Sequence, residues 1–248
     1  SSDRLSANIF TQNLQSEIHN LQYNSLMTFT TVLFDLDDTL YNPGHGLWEL
    51  IRQRMHTYMQ RILDLPDDEL SALREHYLET YGTTLRGLQI EHQVDTEDFL
   101  AYVHDLPLAD YLQPDPALRS LLLSLPKRRW VFTNSDANHA RRVTRVLGVD
   151  DCFEGIIDIH AIQFVCKPNR DAYTHALRAA GESDPQRCVY LDDAVRNLLP
   201  ASEMGFYTVL VGTPDPHPAA RQTILSIHDL PQALPWLWNG RHPGAGHG

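Results

Sequence analysis

TTVLFDLDDTL, residues Thr30–Leu40, decides the fold. Up to Asp35 it is an unbroken β-branched and apolar run. That is the pattern of a strand buried on both faces of a parallel sheet, where no polar alternation is needed. The run ends in a carboxylate, two more carboxylates follow at Asp37 and Asp38, and Asn42-Pro43-Gly44 then breaks the chain.

Working outward, residues 46–123 contain no convincing strand. Leu47, Leu50, Ile51, Met55, Tyr58, Met59 and Ile62 fall at helical spacing. A second helix is expected from Pro66-Asp67-Asp68 to Tyr81, with an acidic start and Gly82 just past its end. Two more are expected over Thr96–Val103 and Asp115–Ser124. From Arg129 the pattern alternates. Strands are expected at Trp130–Thr133, Gly155–Ile159, Cys188–Leu191, Tyr207–Val211 and Ile224–Ile227. Helices are expected at Asp136–Leu147, Asn169–Ala180 and Ala194–Met204. Repeated β-α units imply a parallel sheet with right-handed crossovers, and ligands bind beyond the carboxyl ends of its strands. The expected fold is therefore a Rossmann-like, doubly wound α/β core made of residues 27–42 and 116–238. An all-helical insertion spans 43–115, with candidate hinges at Pro43-Gly44 and around Gln113-Pro114. Residues 1–26 read as an N-terminal extension without an assigned role. The Gly- and Pro-rich stretch 239–248 reads as a flexible tail.

Composition narrows the function. The chain has 248 residues, 42% of them apolar, and a formal net charge of −12. Such a balance disfavours a nucleic-acid polymer or an anionic membrane surface as partner. An anionic small substrate would need a local source of positive charge. No run approaches the ~18 apolar residues of a membrane span, and residues 1–26 lack the basic start and apolar stretch of a signal peptide. Cys152, Cys166 and Cys188 match no zinc or redox spacing, so reduced thiols and a cytoplasmic location are expected. The 13 histidines form no ligand pattern.

Three strands end in residues that carry chemistry: Asp35 to Thr39, Thr133-Asn134-Ser135, and Asp192-Asp193. If these ends share one sheet edge, Asp35, Asp37, Asp192 and Asp193 approach one another. Like charges so close destabilise the fold unless a cation intervenes, and a carboxylate-lined, water-rich site suits Mg²⁺. Lys167, after the apolar run Ile162–Cys166, supplies a point charge. Thr133 and the following backbone N–H groups form a phosphate cradle.

FDLDDTL (Phe34–Leu40), VFTNSD (Val131–Asp136), CKPN (Cys166–Asn169) and YLDD (Tyr190–Asp193) together resemble the four ordered motifs of the haloacid dehalogenase superfamily. The resemblance implies Asp35 as the nucleophile that accepts a phosphoryl group and Asp37 as general acid and base. It implies Thr133 as a phosphate ligand, with Asn134 and Ser135 beside it, and Lys167 as the charge stabiliser. Mg²⁺ would be held by the Asp35 carboxylate, the Asp37 backbone carbonyl and Asp193, with Asp192 in support. The dehalogenases of this superfamily have no carboxylate at the position of Asp37, because a halide leaving group needs no proton. Asp37 therefore favours a phosphatase, and a phosphomutase less so. The insertion sits where the superfamily carries a helical cap. Within it, YGTTLRGL (Tyr81–Leu88) and VHDLPLADYLQPDPALR (Val103–Arg119) resemble the pyrimidine 5′-nucleotidase branch. That implies a nucleoside monophosphate such as UMP or CMP as substrate, Tyr81 stacking on a ring, Arg86 contacting phosphate, ribose or base, and a monomer or homodimer. Tyr41 and His45 also become candidates to face the substrate. The alternatives are a phosphatase for a sugar phosphate or a vitamin-precursor phosphate, and a non-catalytic regulator that retains the fold.

Overall fold

Thr31–Phe34 forms β1, and all four of its residues are buried. The computed structural model describes residues 28–240, so the extension 1–26 and the part of the tail after Gly240 lie outside the described residues. Between β1 and the next strand come six helices: α1 (Leu47–Leu63), α2 (Asp67–Tyr81), α3 (Thr84–His92), α4 (Thr96–Val103), α5 (Leu108–Tyr111) and α6 (Pro116–Ser124). The chain then alternates through β2 (Arg128–Phe132), α7 (Ala137–Leu147), β3 (Gly155–Ile157), α8 (Arg170–Ala179), β4 (Cys188–Asp192), α9 (Val195–Met204), β5 (Tyr207–Val211) and β6 (Gln222–Ile224). It closes with α10 (Leu230–Ala233) and α11 (Trp236–Asn239).

The six strands form one sheet in the order β3-β2-β1-β4-β5-β6, every neighbouring pair parallel. The first strand is thus central, flanked by β2 and β4, with Phe34 level with Val131 on one side and Leu191 on the other. Residues of β1 alternate between two apolar layers, as a pleated strand requires. Val32 and Phe34 pack with Val131, Ala140, Val143 and Leu147. Leu33 faces Phe132, Tyr173, Tyr190 and Leu198 on the other side. Both faces are covered, which is the doubly wound arrangement, and the helical insertion rises from the strand-end edge between β1 and β2.

Local chemistry explains most boundaries. Asp95, Asp115, Asp136 and Asn169 each accept a backbone N–H and cap α4, α6, α7 and α8. Two of the differences from expectation have clear local causes. The strand expected at Ile224–Ile227 lies earlier, at Gln222–Ile224, because Ser226 and Asp229 form a capping box that opens a 3-10 turn at Ile227. A helix also occupies Thr84–His92, where none was expected. Gly82, Thr83 and Gly87 make that stretch look broken. In the fold, Gly82 ends α2 and Thr83 caps α3 through the Arg86 N–H. Gly87 is there for space, since a Cβ on it would lie 2.2 Å from Cγ of the buried Tyr77 ring.

Replacing Gly87 with alanine therefore overpacks the α2–α3 contact. Gly87→Ala should lose about 1–3 kcal/mol of stability, seen as a lower thermal midpoint. An unchanged midpoint would mean that the Tyr77 ring moves aside freely.

Candidate active site

The parallel register brings three strand ends together. Asp35 follows β1, Thr133 follows β2, and Asp192 closes β4. Lys167, from the loop before α8, reaches into this junction and is only 1% exposed. Its Nζ donates to Asp35 Oδ1 at 2.7 Å, to Asp192 Oδ2 at 3.0 Å and to the Phe132 carbonyl at 2.9 Å. All three ammonium hydrogens thus have acceptors. Burial opposes its charge, but Asp192 and Asp35 more than offset this and raise its pKa. Burial raises the pKa of Asp35 well above the usual carboxylate range, with Lys167 pulling against it.

Asp192 is fully buried and saturated with donors. Besides Lys167 it accepts from Tyr190 OH, from Asn197 Nδ2 on both oxygens (3.0 Å each) and from the Ala194 N–H (2.8 Å). Asp193 instead opens onto a cavity of about 440 Å³ whose lining also includes Asp35, Asp37, Asp38, Thr133 and Lys167. Burial, then Asp192 and Asp38, push the Asp193 carboxyl up to about 7. One oxygen from each of Asp35, Asp192 and Asp193 lies within 4.8 Å of the others.

The expectation that four carboxylates converge needs correcting. The Asp37 carboxyl lines the same cavity but lies outside this group of three. The chain bends at Asp38, which takes a left-handed φ of 58°, and Asp37 is held elsewhere. Its Oδ1 accepts from Tyr41 OH at 2.7 Å and from His139 Nε2 at 3.0 Å, and its Oδ2 accepts from Ser135 Oγ at 3.3 Å. Burial resists ionisation of Asp37, but the charge and hydrogen bond of His139 and the Tyr41 hydroxyl prevail and hold it at about 2. Burial, then Asp37, raises Asp38 to about 6, and Asp38 Oδ1 is buried without a partner.

The second motif is also more structural than expected. Asn134 Oδ1 accepts the Lys167 N–H at 2.8 Å while its Nδ2 donates to the Lys167 carbonyl at 3.0 Å, clamping that backbone. Its amide is thereby occupied, which leaves little of it for a substrate. Thr133 is buried and its Oγ1 accepts the Ser135 N–H. The cap candidates fare differently again. Tyr81 OH donates to Glu91, and Arg86 Nη1 reaches Gln89 at 3.4 Å; neither residue lines the cavity. The helices α1 and α2 line it instead, through Trp48, Arg52, Met55, Arg74 and Leu78. The sequence reading passed over these, although Trp48, Arg52 and Met55 share one helical face at i, i+4, i+7 spacing.

It also passed over two histidines. His139, one turn into α7, is 1% exposed, and its ring stacks on that of His104 with centroids 4.2 Å apart and planes 18° from parallel. His104 Nδ1 in turn meets Asp136 Oδ2 at 2.6 Å. His139 was legible in principle: it sits three residues after an Asp cap at a strand end, so its side chain returns towards that edge. His104 carried no such signal.

A family model described as haloacid dehalogenase-like hydrolase matches residues 29–205. The chain belongs to this family. The haloacid dehalogenase-like match takes in every strand-end group described above. In sequence the chain is similar to Phosphate metabolism protein 8 of Saccharomyces cerevisiae, 36% identical over 193 residues, which is 71% of this chain and 60% of the yeast protein. The chain thus spans about three fifths of that relative's length. Among solved structures it resembles CbbY from Rhodobacter sphaeroides in complex with phosphate, with a TM-score of 0.58 and 20% identity over 82% of this chain and 96% of that one. It also resembles a HAD phosphatase from Thermococcus onnurineus, with a TM-score of 0.56 and 17% identity over 82% and 96%. YfnB from Bacillus subtilis, solved bound to magnesium, gives a TM-score of 0.54 and 14% identity over 86% and 99%. At these identities the structural likeness speaks for the fold. Among the described residues no helix is long and apolar enough to cross a membrane.

Removing the buried ammonium leaves Asp35 and Asp192 facing each other uncompensated. Lys167→Met should cost about 3–5 kcal/mol at neutral pH. Asp35, whose pKa burial raises, takes up a proton as pH falls, so the deficit should shrink in acid. Paired denaturation curves at pH 7 and pH 5 check this, and a deficit that grows in acid would contradict the assignment.

Proposed function

We propose that this chain is a Mg²⁺-dependent phosphomonoesterase working through an aspartyl-phosphate, with a pyrimidine nucleoside 5′-monophosphate as substrate. The observation that carries the reading is Asp35 at the cavity floor. It is fixed by Lys167 through Oδ1, with Asp193 beside it and a second carboxyl, Asp37, two residues on. The phosphate in the name of the yeast relative agrees with it.

The donor set fits Mg²⁺. Asp35 and Asp193 supply hard oxygen donors, as would the Asp37 backbone carbonyl. The unpartnered Asp38 Oδ1 and the raised carboxyl of Asp193 both mark negative charge that the protein leaves uncompensated. Asp193 is the direct ligand and Asp192 its support, because every Asp192 oxygen is already bonded and Asp193 faces the cavity. Bound there, Mg²⁺ would neutralise phosphate and carboxylate charge.

The residues divide the work. The Asp35 oxygen attacks phosphorus, an O–P bond forms, the P–O bond to the leaving group breaks, and Asp37 passes its proton to the departing oxygen. Water then attacks the acyl phosphate while Asp37 takes its proton back, releasing phosphate and restoring the Asp35 carboxylate. A carboxyl held near 2 is a poor acid, so Asp37 has to be protonated as substrate enters. The negative charge of the incoming phosphate favours that uptake. Lys167 keeps Asp35 oriented and offsets charge in both steps.

The cavity supports a nucleotide-sized leaving group. Met55, Leu78, Leu85 and Phe99 give it apolar walls, and Trp48, 39% exposed, offers a ring for stacking. Arg52, which also pairs with Glu49, and Arg74 supply donors from α1 and α2, and Arg196 supplies one from α9. With Tyr81 and Arg86 turned away, base recognition falls to Trp48, Arg52 and Arg74.

Phosphate release measured over UMP, CMP, purine nucleotides and sugar phosphates, with Mg²⁺ and with EDTA, tests the reading. Pyrimidine nucleotides should be preferred and EDTA should stop turnover. Absence of metal-dependent release across the whole panel would favour the non-catalytic regulator. Asp35→Asn should abolish turnover and leave the fold intact by circular dichroism. Mg²⁺ should raise the thermal midpoint of the wild type and not of Asp193→Asn, because binding to the native state alone stabilises it. An equal rise in both would move the ion elsewhere.

A further inference from the structure

The His104–His139 pair is not explained by the chemistry above. A buried ring that serves packing alone needs no nitrogen, and burying one costs free energy unless it is hydrogen-bonded. The His139 ring makes a single hydrogen bond, from Nε2 to Asp37 Oδ1 at 3.0 Å, and its Nδ1 is buried without a partner. The Asp37 carboxylate only accepts, so Nε2–H is the donor in this bond. The one polar contact of this ring is therefore aimed at the proton carrier of the proposed reaction.

Its orientation is enforced from the inserted helices. His104, the residue just past α4, covers the face of His139. His104 is itself anchored twice to α7. Its Nδ1 bonds Asp136 Oδ2, whose other oxygen accepts the N–H groups of Asn138 and His139 and caps the helix. The Arg142 guanidinium donates to the His104 and Leu106 carbonyls at 2.7 and 2.6 Å. The His139 ring is thus held between a capped helix start and a stacked ring whose backbone is tied down.

We propose that His139, braced by His104 from the inserted helices, is the positioning residue that aims the Asp37 carboxyl at the leaving-group oxygen. The assignment rests on the phosphomonoesterase reading and adds a device to it. Misplacing a catalytic group by about 1 Å costs about 10²-fold in rate, and only where proton delivery matters.

Leaving-group dependence separates positioning from general structure. The measurement is kcat/KM, which ends at phosphoryl transfer to Asp35, on two esters: the most active alkyl phosphate of the release panel, and 2,4-dinitrophenyl phosphate, whose leaving oxygen needs no proton. His139→Ala should lose about 10²-fold on the alkyl ester and less than about threefold on the dinitrophenyl ester. His139→Gln, which keeps an N–H near the Nε2 position, should recover most of the alkyl-ester rate. His104→Phe keeps a stacked ring and loses the Asp136 bond; it should show a smaller loss of the same selectivity, and it decides the matter if His139→Ala does not fold. Asp37→Asn sets the scale and should be at least as selective. Equal losses on both esters in the histidine variants, beside a selective Asp37→Asn, overturn the positioning role alone. Equal losses in Asp37→Asn overturn the proton-carrier reading and this inference with it.

Discussion

One ammonium group buried between two carboxylates governs this site. Lys167 Nζ lies 2.7 Å from Asp35 and 3.0 Å from Asp192, with almost no solvent access. Charges at that depth are tolerated only when paired and fully hydrogen-bonded. The requirement reaches well beyond the three side chains. It fixes the Phe132 carbonyl at the end of β2 as third acceptor, engages the Asn134 amide on both sides of the Lys167 backbone, and has the Ala194 N–H, Tyr190 and Asn197 complete Asp192. A loop, three strand ends and a helix start are set by one counter-ion.

That arrangement sorts carboxylates that look alike in sequence. Asp192 is locked by donors on both oxygens. Asp193, its immediate neighbour, is left facing the cavity with a carboxyl near 7. Asp35 keeps one oxygen outside its bond to Lys167. Asp37 is drawn off towards Tyr41, Ser135 and His139 and held near 2. For Asp35, Asp37 and Asp193 burial opposes ionisation, and the charges and hydrogen bonds each one meets decide how far that is offset.

Much of this was legible in the sequence, for identifiable reasons. Buried parallel strands leave continuous apolar runs, so β1, β4 and β5 stand out, and Asp or Asn caps mark the starts of α4, α6, α7 and α8. Asp35 and Asp193 follow from strand ends that topology forces together, and Lys167 from the apolar run before it and the CKPN motif. Where a side chain points after a turn was not legible. Tyr41, Ser135 and His139 claim the Asp37 carboxyl, and the Lys167 backbone claims the Asn134 amide. The α3 helix was hidden because its glycines and threonines read as breakers, whereas Gly87 answers to Tyr77, a residue ten positions away. Tyr81 and Arg86 were placed by resemblance of a motif; Tyr81 instead bonds Glu91 across the α2–α3 contact, and Arg86 bonds Gln89 within α3.

Gly82 joins the inserted helices to the core in a way that depends on no side chain. Its φ is +84°, and a Cβ built on it would stand 2.9 Å from the Lys167 carbonyl oxygen. Here the insertion rests main chain against main chain, on the very peptide that carries the buried ammonium. Residues on the cavity-facing surfaces of α1 and α2 are consequently free to diverge without altering how the helices sit on the sheet. The wall of the cavity can thus be remodelled without moving the peptide on which the insertion is seated.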